Sequence, residues 1–267
     1  MSVRTSVRMR VRSHRTVRVL AAATAVVAVA ATATACGADS SDDTSPEHRS
    51  FALHGKTLTV DSDDSRLDLV PGDGKEVKVT RWFEGSTVIG SSPEATWSWR
   101  SAEDRLTLRM HCSGFIVNCS ARHRVEVPRG VAVVVRNDDG SVHARDFENG
   151  LDISTSDGSV RVENTSGPLR LTGEDGSLHA TGIDARRVTV RTEDGEARID
   201  LRTVPDRVEA TSQDGSLTLG LPGSARYRVT TDTDDGAVDV SVPRDPRSEH
   251  RVSARAQDGK VTVRTAN

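Results

Sequence analysis

Polar and apolar residues alternate along residues 129–267 around an Asp-Gly pair that occurs seven times, with steps of 18 to 23 residues between successive glycines. The positions six and four residues before each Asp, and two and four residues after each Gly, are apolar at 27 of 28 sites, with Thr231 as the exception. Alternation with a period of two predicts strands that bury one face. Each unit is therefore predicted to be a strand, an Asp-Gly turn, a second strand and a polar return. The seven pairs are Asp139-Gly140, Asp157-Gly158, Asp175-Gly176, Asp194-Gly195, Asp214-Gly215, Asp235-Gly236 and Asp258-Gly259.

Two architectures fit this repeat. Asp-Gly is a strong hairpin signal, which would give an antiparallel meander or sandwich, whereas a β-solenoid would use each pair as a corner of one coil. The alternation alone does not separate them. Like residues recur in columns, aromatic residues are nearly absent after residue 128, and each unit is too small to stand alone, which together favour the solenoid. We predict an all-β solenoid with a repeat of 18 to 23 residues and an exposed terminal edge near Val261 and Val263.

The segment 51–128 alternates less regularly and is predicted to be an irregular β segment that caps the first coil of the array at 129–267. It holds six of the eight aromatic residues, and Trp97 and Trp99 share one face of a predicted strand. Covering the end of a solenoid explains such a cluster, and we favour that interpretation. The alternative is an aromatic platform for sugar rings, which makes Trp97 and Trp99 candidate contact residues.

The N-terminal residues have the features of an export signal. Residues 1–18 carry six arginines and no acid, and residues 19–35 are apolar and rich in alanine. The segment ends Ala33-Thr34-Ala35-Cys36, which resembles the bacterial lipobox and implies that Cys36 is the lipidated first residue of the mature chain. An uncleaved membrane anchor is the alternative. Residues 36–50 are predicted to be a polar tether.

Removal of residues 1–35 changes the charge of the chain. The full sequence has a formal net charge of −3, from 36 basic and 39 acidic residues. The removed segment contains six of the basic residues and none of the acidic ones, which leaves 30 − 39 = −9. Phosphate backbones attract Lys and Arg, so nucleic acid is not expected as a partner.

The two remaining cysteines, Cys112 and Cys119, are predicted to form a disulfide because exported proteins fold in oxidising surroundings. A zinc site with His111 and His123 is the alternative. It is less favoured because adjacent residues of an extended segment, such as His111 and Cys112, point to opposite faces. We therefore assign no metal to these residues.

The sequence lacks the common catalytic motifs: the His-Glu-x-x-His zinc motif, the Gly-x-Ser-x-Gly nucleophile elbow, the phosphate loop and the dinucleotide fingerprint. The repeated Asp suggests calcium, but Asp is also a preferred residue before a turn Gly. Cleavage of a glycoside would need paired carboxylates in a groove, and the sequence singles out no such coil. We expect no catalytic residue, no cofactor and no metal.

The run Val125-Glu126-Val127-Pro128-Arg129-Gly130-Val131, followed by serial units such as 169–178, resembles a bacterial β-strand-repeat family labelled "putative adhesin". The resemblance covers residues 50–267. It implies a β-solenoid at the cell envelope and offers no established catalytic residues. We therefore predict a non-catalytic scaffold or adhesin-like binding module on the outer face of the cell membrane, held there by a lipid on Cys36. Its partner would be an unknown envelope protein or glycan. The alternatives are an envelope signalling component that binds a partner protein, and a carbohydrate-active enzyme on a β-helix.

Overall fold

The alternating apolar residues bury one face of nearly every strand in a shared interior. The computed structural model describes residues 40–266; the predicted signal peptide and Cys36 lie outside this range, as does Asn267. A short 3-10 turn at Ser40–Asp42 precedes the strands. The strands are β1 (Glu47–Ala52), β2 (Thr57–Ser62), β3 (Arg66–Gly72), β4 (Glu76–Ile89), β5 (Glu94–Arg100), β6 (Arg105–His111), β7 (Phe115–Pro128), β8 (Ala132–Asn137), β9 (Val142–Arg145), β10 (Leu151–Thr155), β11 (Val160–Glu163), β12 (Leu169–Gly173), β13 (Ser177–Ile183), β14 (Arg187–Thr192), β15 (Glu196–Leu201), β16 (Arg207–Ser212), β17 (Ser216–Leu221), β18 (Arg228–Val240) and β19 (Arg251–Thr265).

Each repeat unit is one coil of a parallel β-solenoid and contributes a strand to each of two ladders. Ladder A contains the strands before the Asp-Gly corners: β2, β8, β10, β12, β14, β16 and the first halves of β19 and β18. Ladder B contains the strands after the corners: β3, β9, β11, β13, β15, β17 and the second halves of β19 and β18. Equivalent residues pair directly, as Val133 with Leu151 and Leu151 with Leu169. This parallel pairing confirms the predicted solenoid and excludes the meander.

Aliphatic side chains fill the space between the two ladders. Leu151, Leu169 and Val188 are 2%, 2% and 1% exposed, and Ile199 is fully buried. Tyr227 is the largest fully buried residue within 40–266, and its hydroxyl donates a hydrogen bond to the Pro222 carbonyl at 2.7 Å. A narrow interior of this kind suits Val, Leu and Ile and explains why aromatic residues are rare in the repeats.

The order of the coils in space differs from their order in the sequence at the C-terminal end. Val252 of β19 pairs with Val208 on one side and with Val229 on the other, so the seventh unit lies between the fifth and the sixth. The predicted edge near Val261 and Val263 is therefore wrong, because both residues are fully buried. The outermost strand is β18. It contains the one polar residue among the 28 column positions, so the solenoid exposes its least apolar coil and buries the more apolar β19.

The N-terminal end is arranged in a similar way. The coil made by β2 and β3 lies between the coil of β6 and β7 and the coil of β8 and β9. Three further strands add antiparallel pairs: β4 pairs with β7, β1 with β4, and β5 with β6. Within residues 40–266, no helix has the length and apolar character needed to cross a bilayer.

Candidate functional site

The glycines of the Asp-Gly pairs stack on one another at one corner of the solenoid. A Cβ added to Gly158 would overlap the carbonyl oxygen of Gly140, and a Cβ on Gly195 would overlap that of Gly176. The same holds along the series for Gly215 on Gly195, Gly259 on Gly215 and Gly236 on Gly259. Glycine is needed because the backbones approach so closely. Each Asp-Gly pair therefore forms the corner that connects a strand of ladder A to the following strand of ladder B.

The seven aspartates of these pairs are all exposed, so the corner has a row of carboxylates along it. We call this row the acidic edge. At its N-terminal end, the carboxyl of Asp63 is hydrogen-bonded to that of Asp138 and lies 2.9 Å from Nη1 of Arg109. Burial raises the pKa of Asp63, Arg109 opposes this, and the charge of Asp138 raises it further. In the described part of the chain, no three His, Cys, Asp or Glu residues are grouped so that they could hold a metal ion.

A second row of residues lies inside the same corner, two positions before each Asp, and five of its seven members have polar side chains. Asn137 donates hydrogen bonds from Nδ2 to the carbonyls of Asp139 and Gly140, each at 3.2 Å. Thr192 donates to the carbonyl of Asp194 at 3.2 Å, and the amide of Gly215 donates to the hydroxyl of Ser212 at 3.1 Å. These buried side chains satisfy backbone groups at the turns. The sequence contained the signal, because period-two alternation places this position inside, where most proteins would have an apolar residue.

His123, on β7, lies inside the coil formed by β6 and β7. It is 1% exposed, and its Nδ1 is 3.1 Å from the hydroxyl of Ser65, which in turn is 2.9 Å from that of Ser62. Its Nε2 is buried without a hydrogen-bond partner among residues 40–266. Burial, and secondarily the charge of Arg81, lower the pKa of His123 to about 3. The imidazole is therefore neutral at physiological pH.

The predicted disulfide is present. Cys112 and Cys119 are bonded, with their Cα atoms 6.5 Å apart, and they link the end of β6 to β7. Cys36 lies outside the described residues, so its lipidation stays a prediction.

Trp97 and Trp99 lie on β5 at the N-terminal end of the solenoid, partly buried against the interior. The ring of Trp99 stacks on Phe51, with centroids 5.2 Å apart and planes at 20°. The guanidinium carbons of Arg49 and Arg81 lie 5.0 and 4.5 Å from the ring centre of Trp97. Both rings thus have partners within the chain. A role for them in glycan contact stays a prediction.

A cleft of about 200 Å³ opens on the outer face of ladder B near its N-terminal end. We call it the arginine cleft. Asp68 is 7% exposed at its centre and binds Nη2 of Arg122 at 2.6 Å and Nε of Arg66 at 3.5 Å. Nδ1 of His143 is 3.9 Å from the same carboxylate. The cleft thus collects several cationic side chains around one acid.

Two more arginines complete the arginine cleft. Arg124 lies 3.5 Å from Glu126, while Arg145 is exposed and has no acidic partner among residues 40–266. Arg122 also lies 5.1 Å from the ring centre of Trp82. Four arginines against Asp68 and Glu126 leave a surplus of positive charge. The cleft therefore has the electrostatic character needed to attract an anionic group.

These features define the protein as a two-ladder parallel β-solenoid with glycine-stacked corners and charged outer faces. The chain belongs to the Toastrack DUF4097 family, whose model matches residues 128–267. This membership confirms the resemblance to a β-strand-repeat family that the sequence predicted.

Two solved structures are similar in architecture. One is a putative cell adhesion protein from Clostridium sporogenes ATCC 15579, at 11% identity and a TM-score of 0.36, covering 83% of this chain and 99% of its own. The other is a putative adhesin from Bacteroides fragilis NCTC 9343, at 13% identity and a TM-score of 0.44, covering 83% and 97%.

One curated protein is similar over a short stretch. Hydroxyproline O-galactosyltransferase GALT2 of Arabidopsis thaliana is 36% identical over 91 residues, which are 29% of this chain and 13% of the plant protein. The chain therefore spans about an eighth of the length of this curated relative.

Proposed function

We propose that the protein is an exported, lipid-anchored and non-catalytic β-solenoid that acts at the outer face of the cell membrane as a scaffold or adhesin-like binding module. The export signal in residues 1–35, Cys36 at its end and the polar residues 36–50 support this location. The observation that carries the binding role is the in-register stacking of the coils. Stacking holds outward side chains in straight columns on a rigid core.

The columns offer a binding partner fixed chemical groups at a regular spacing. In ladder B, one outward column contains Asp68, His143, Arg161, His179 and Arg198 in consecutive coils. Adjacent members are separated by about 4.8 Å, the spacing of neighbouring strands. A surface of this kind suits recognition of an extended or repeating ligand.

A non-catalytic role fits the placement of the carboxylates. Hydrolysis of a glycosidic bond needs one acid held protonated and a second one free on the other side of the bond. The aspartates of the acidic edge are exposed on turns, where corner geometry explains them. Asp63 and Asp138 are hydrogen-bonded to each other, and Arg109 contacts Asp63, so this pair is engaged within the chain.

The uncovered strand β18 favours a second candidate function, an envelope signalling component that binds a partner protein. One side of β18 pairs with β19, and its inward residue Val238 is 43% exposed. An exposed sheet edge accepts an added strand from another protein. The four aspartates along β18, at Asp232, Asp234, Asp235 and Asp239, would favour a basic partner segment.

Cell fractionation tests the proposed location. We expect the full-length protein in the membrane fraction of intact cells and sensitive to externally added protease. Cys36→Ser should abolish lipid labelling and move the protein out of the membrane fraction or leave its signal uncleaved, whereas Thr44→Ala, at an exposed position before the first strand, should behave as the wild type. Recovery of the protein from the cytoplasm would overturn the proposal.

Screening of envelope polysaccharides tests the non-catalytic role. We expect no product from any of them. Turnover that disappears in Asp63→Asn or Asp138→Asn would instead establish the carbohydrate-active enzyme. Cross-linking on the cell surface, compared between the wild type and Val238→Lys, separates a partner protein at β18 from a glycan on the outer faces.

A further inference from the structure

Four arginines stand side by side on consecutive coils of ladder A. Arg187 pairs with Arg207, Arg207 with Arg251, and Arg251 with Arg228, each in direct register. We call this column the arginine ladder. Because neighbouring parallel strands are about 4.8 Å apart, the four residues extend over roughly 15 Å along the solenoid axis.

The charge of this column is largely uncompensated. Like charges directly opposite each other on adjacent strands destabilise a sheet. Only Arg207 has an acidic partner in the described chain: its Nε donates to Glu209 at 2.8 Å. The side chains of Arg187, Arg251 and Arg228 make no ion pair or hydrogen bond within residues 40–266, and Nε of Arg228 is buried without a partner. The unpaired guanidinium groups of Arg187, Arg251 and Arg228 therefore form a cationic surface that can bind an anion.

A second outward column on the same strands shows that the repeat does not impose this arrangement. On the same strands, four positions nearer the corner, Arg191, Thr211, Arg255 and Asp232 follow one another in the same order. There a hydroxyl separates two arginines and an acid ends the series. The arginine ladder also has fewer ion pairs than the arginine cleft, where Asp68 and Glu126 already hold three of the four arginines.

A groove leads along the same column to the arginine ladder. Toward the N-terminal end, the positions equivalent to Arg187 are occupied by small residues or by proline, and they line a groove of about 380 Å³ that ends at Arg187. The outward column beside the arginines contains Thr189, Glu209, Ser253 and Thr230, so it supplies three hydroxyl groups and the carboxylate that pairs with Arg207. The small or cyclic residues are Thr57, Ala132, Gly150 and Pro168.

We infer that the groove and the arginine ladder bind an acidic polysaccharide that lies along the solenoid axis and carries a carboxylate on each sugar. Guanidinium groups bind carboxylates through paired, charge-assisted hydrogen bonds. An extended chain of pyranose rings advances by about one rung of the ladder per sugar, so each carboxylate that faces the protein lies level with an arginine of the ladder. The groove, in whose lining Asp152 pairs with Arg170 at 3.4 Å, accommodates the rings, and the hydroxyls of Thr189, Ser253 and Thr230 face their polar edges. This inference rests on the proposed binding role and names its ligand class.

Binding of polygalacturonate to the full-length protein, extracted from membranes in detergent, tests the inference. Arg187→Gln with Arg251→Gln removes two members of the ladder, and Arg191→Gln with Arg255→Gln is the matched control on the same strands and face with the same change in charge. Because the first pair removes two charge-assisted contacts, it should weaken binding by at least about tenfold. The control pair should change it less than about twofold.

Three further probes keep the result decisive. Methyl-esterified polygalacturonate, which has the same sugars without the charges, should not bind, and inorganic polyphosphate or duplex DNA should bind more weakly than polygalacturonate. The single variant Arg251→Gln, with an unchanged thermal unfolding midpoint, should show an intermediate loss and excludes misfolding as the cause. Equal losses in both double variants, equal binding of the methyl ester or of polyphosphate, or no binding of polygalacturonate would each overturn the inference. The fractionation result is independent, so a surface-located protein that ignores polygalacturonate rejects this inference alone.

Discussion

Gly158 lies directly against the carbonyl oxygen of Gly140, and no β-carbon fits between them. The contact recurs along the corner, from coil to coil. Gly158 does not have a positive φ, whereas Gly140 does, at 105°. Close approach of the backbones is therefore the feature that all of these corners share, and left-handed conformation is found at only some of them.

Replacement of Gly158 by Ala should destabilise the protein by about 1 to 3 kcal/mol, because the added methyl group forces two coils apart. Gly150→Ala is the control: it also lacks a positive φ, and its new Cβ would meet the Ala132 side chain at an ordinary 3.8 Å. Urea denaturation measures both. Equal stabilities of the two variants would contradict the stacked corner.

The buried polar row at the corner should contribute to stability through its hydrogen bonds to the turns. Thr192→Val preserves shape but removes the bond to the Asp194 carbonyl, which should cost about 1 kcal/mol. Thr189→Val changes an outward hydroxyl of the same strand and should alter the free energy of unfolding by less than about 0.5 kcal/mol. A larger loss for Thr189→Val than for Thr192→Val would rule out this role.

His123 should make the stability of the protein depend on pH. Its pKa in the folded protein is about 3, below the ordinary value of 6.5, so the unfolded chain binds a proton that the folded protein does not. Stability is therefore complete above pH 6.5 and falls as the pH falls toward 3. The part due to His123 amounts to about 2 kcal/mol between pH 7 and pH 5.

Substitution of His123 isolates this contribution. His123→Leu and His123→Asn should both lose that share of the pH dependence, although they differ in packing. The free energies of unfolding of the three proteins at pH 7 and pH 5 provide the comparison. If both variants retained the full wild-type difference, the buried neutral imidazole would not be its source.

The alternation of residues made the strands, the buried columns and their pairing predictable. Val133, Leu151 and Leu169 occupy equivalent positions in the sequence and pair directly in the structure. The order of the last two coils was not predictable, because β18 and β19 have nearly the same pattern. The choice depends on small differences, such as Thr231 in the column where β19 has Ala254.

The sequence also contains the positions that form the arginine ladder. Arginine stands seven residues before the Asp of the last four units, and small residues or proline stand there in the first three. This pattern predicts a continuous column of arginines only when the coils are known to be parallel and in register. Charges seven residues from a turn are otherwise indistinguishable from ordinary solvated residues of a polar face.

The parallel stack, with the seventh unit inserted between the fifth and the sixth, underlies every surface described for this protein. Cross-linking of cysteine pairs tests it most directly. Thr218 is in register with Thr262 of β19, which is in turn in register with Asp239 of β18. Thr218 is therefore one rung, about 4.8 Å, from Thr262 and two rungs from Asp239.

A short bifunctional thiol reagent followed by peptide mapping should join the cysteines of Thr218→Cys with Thr262→Cys. The pair Thr218→Cys with Asp239→Cys should remain unlinked. A linked Thr218–Asp239 pair together with an unlinked Thr218–Thr262 pair would contradict the stack, because it would place the coils in their sequence order.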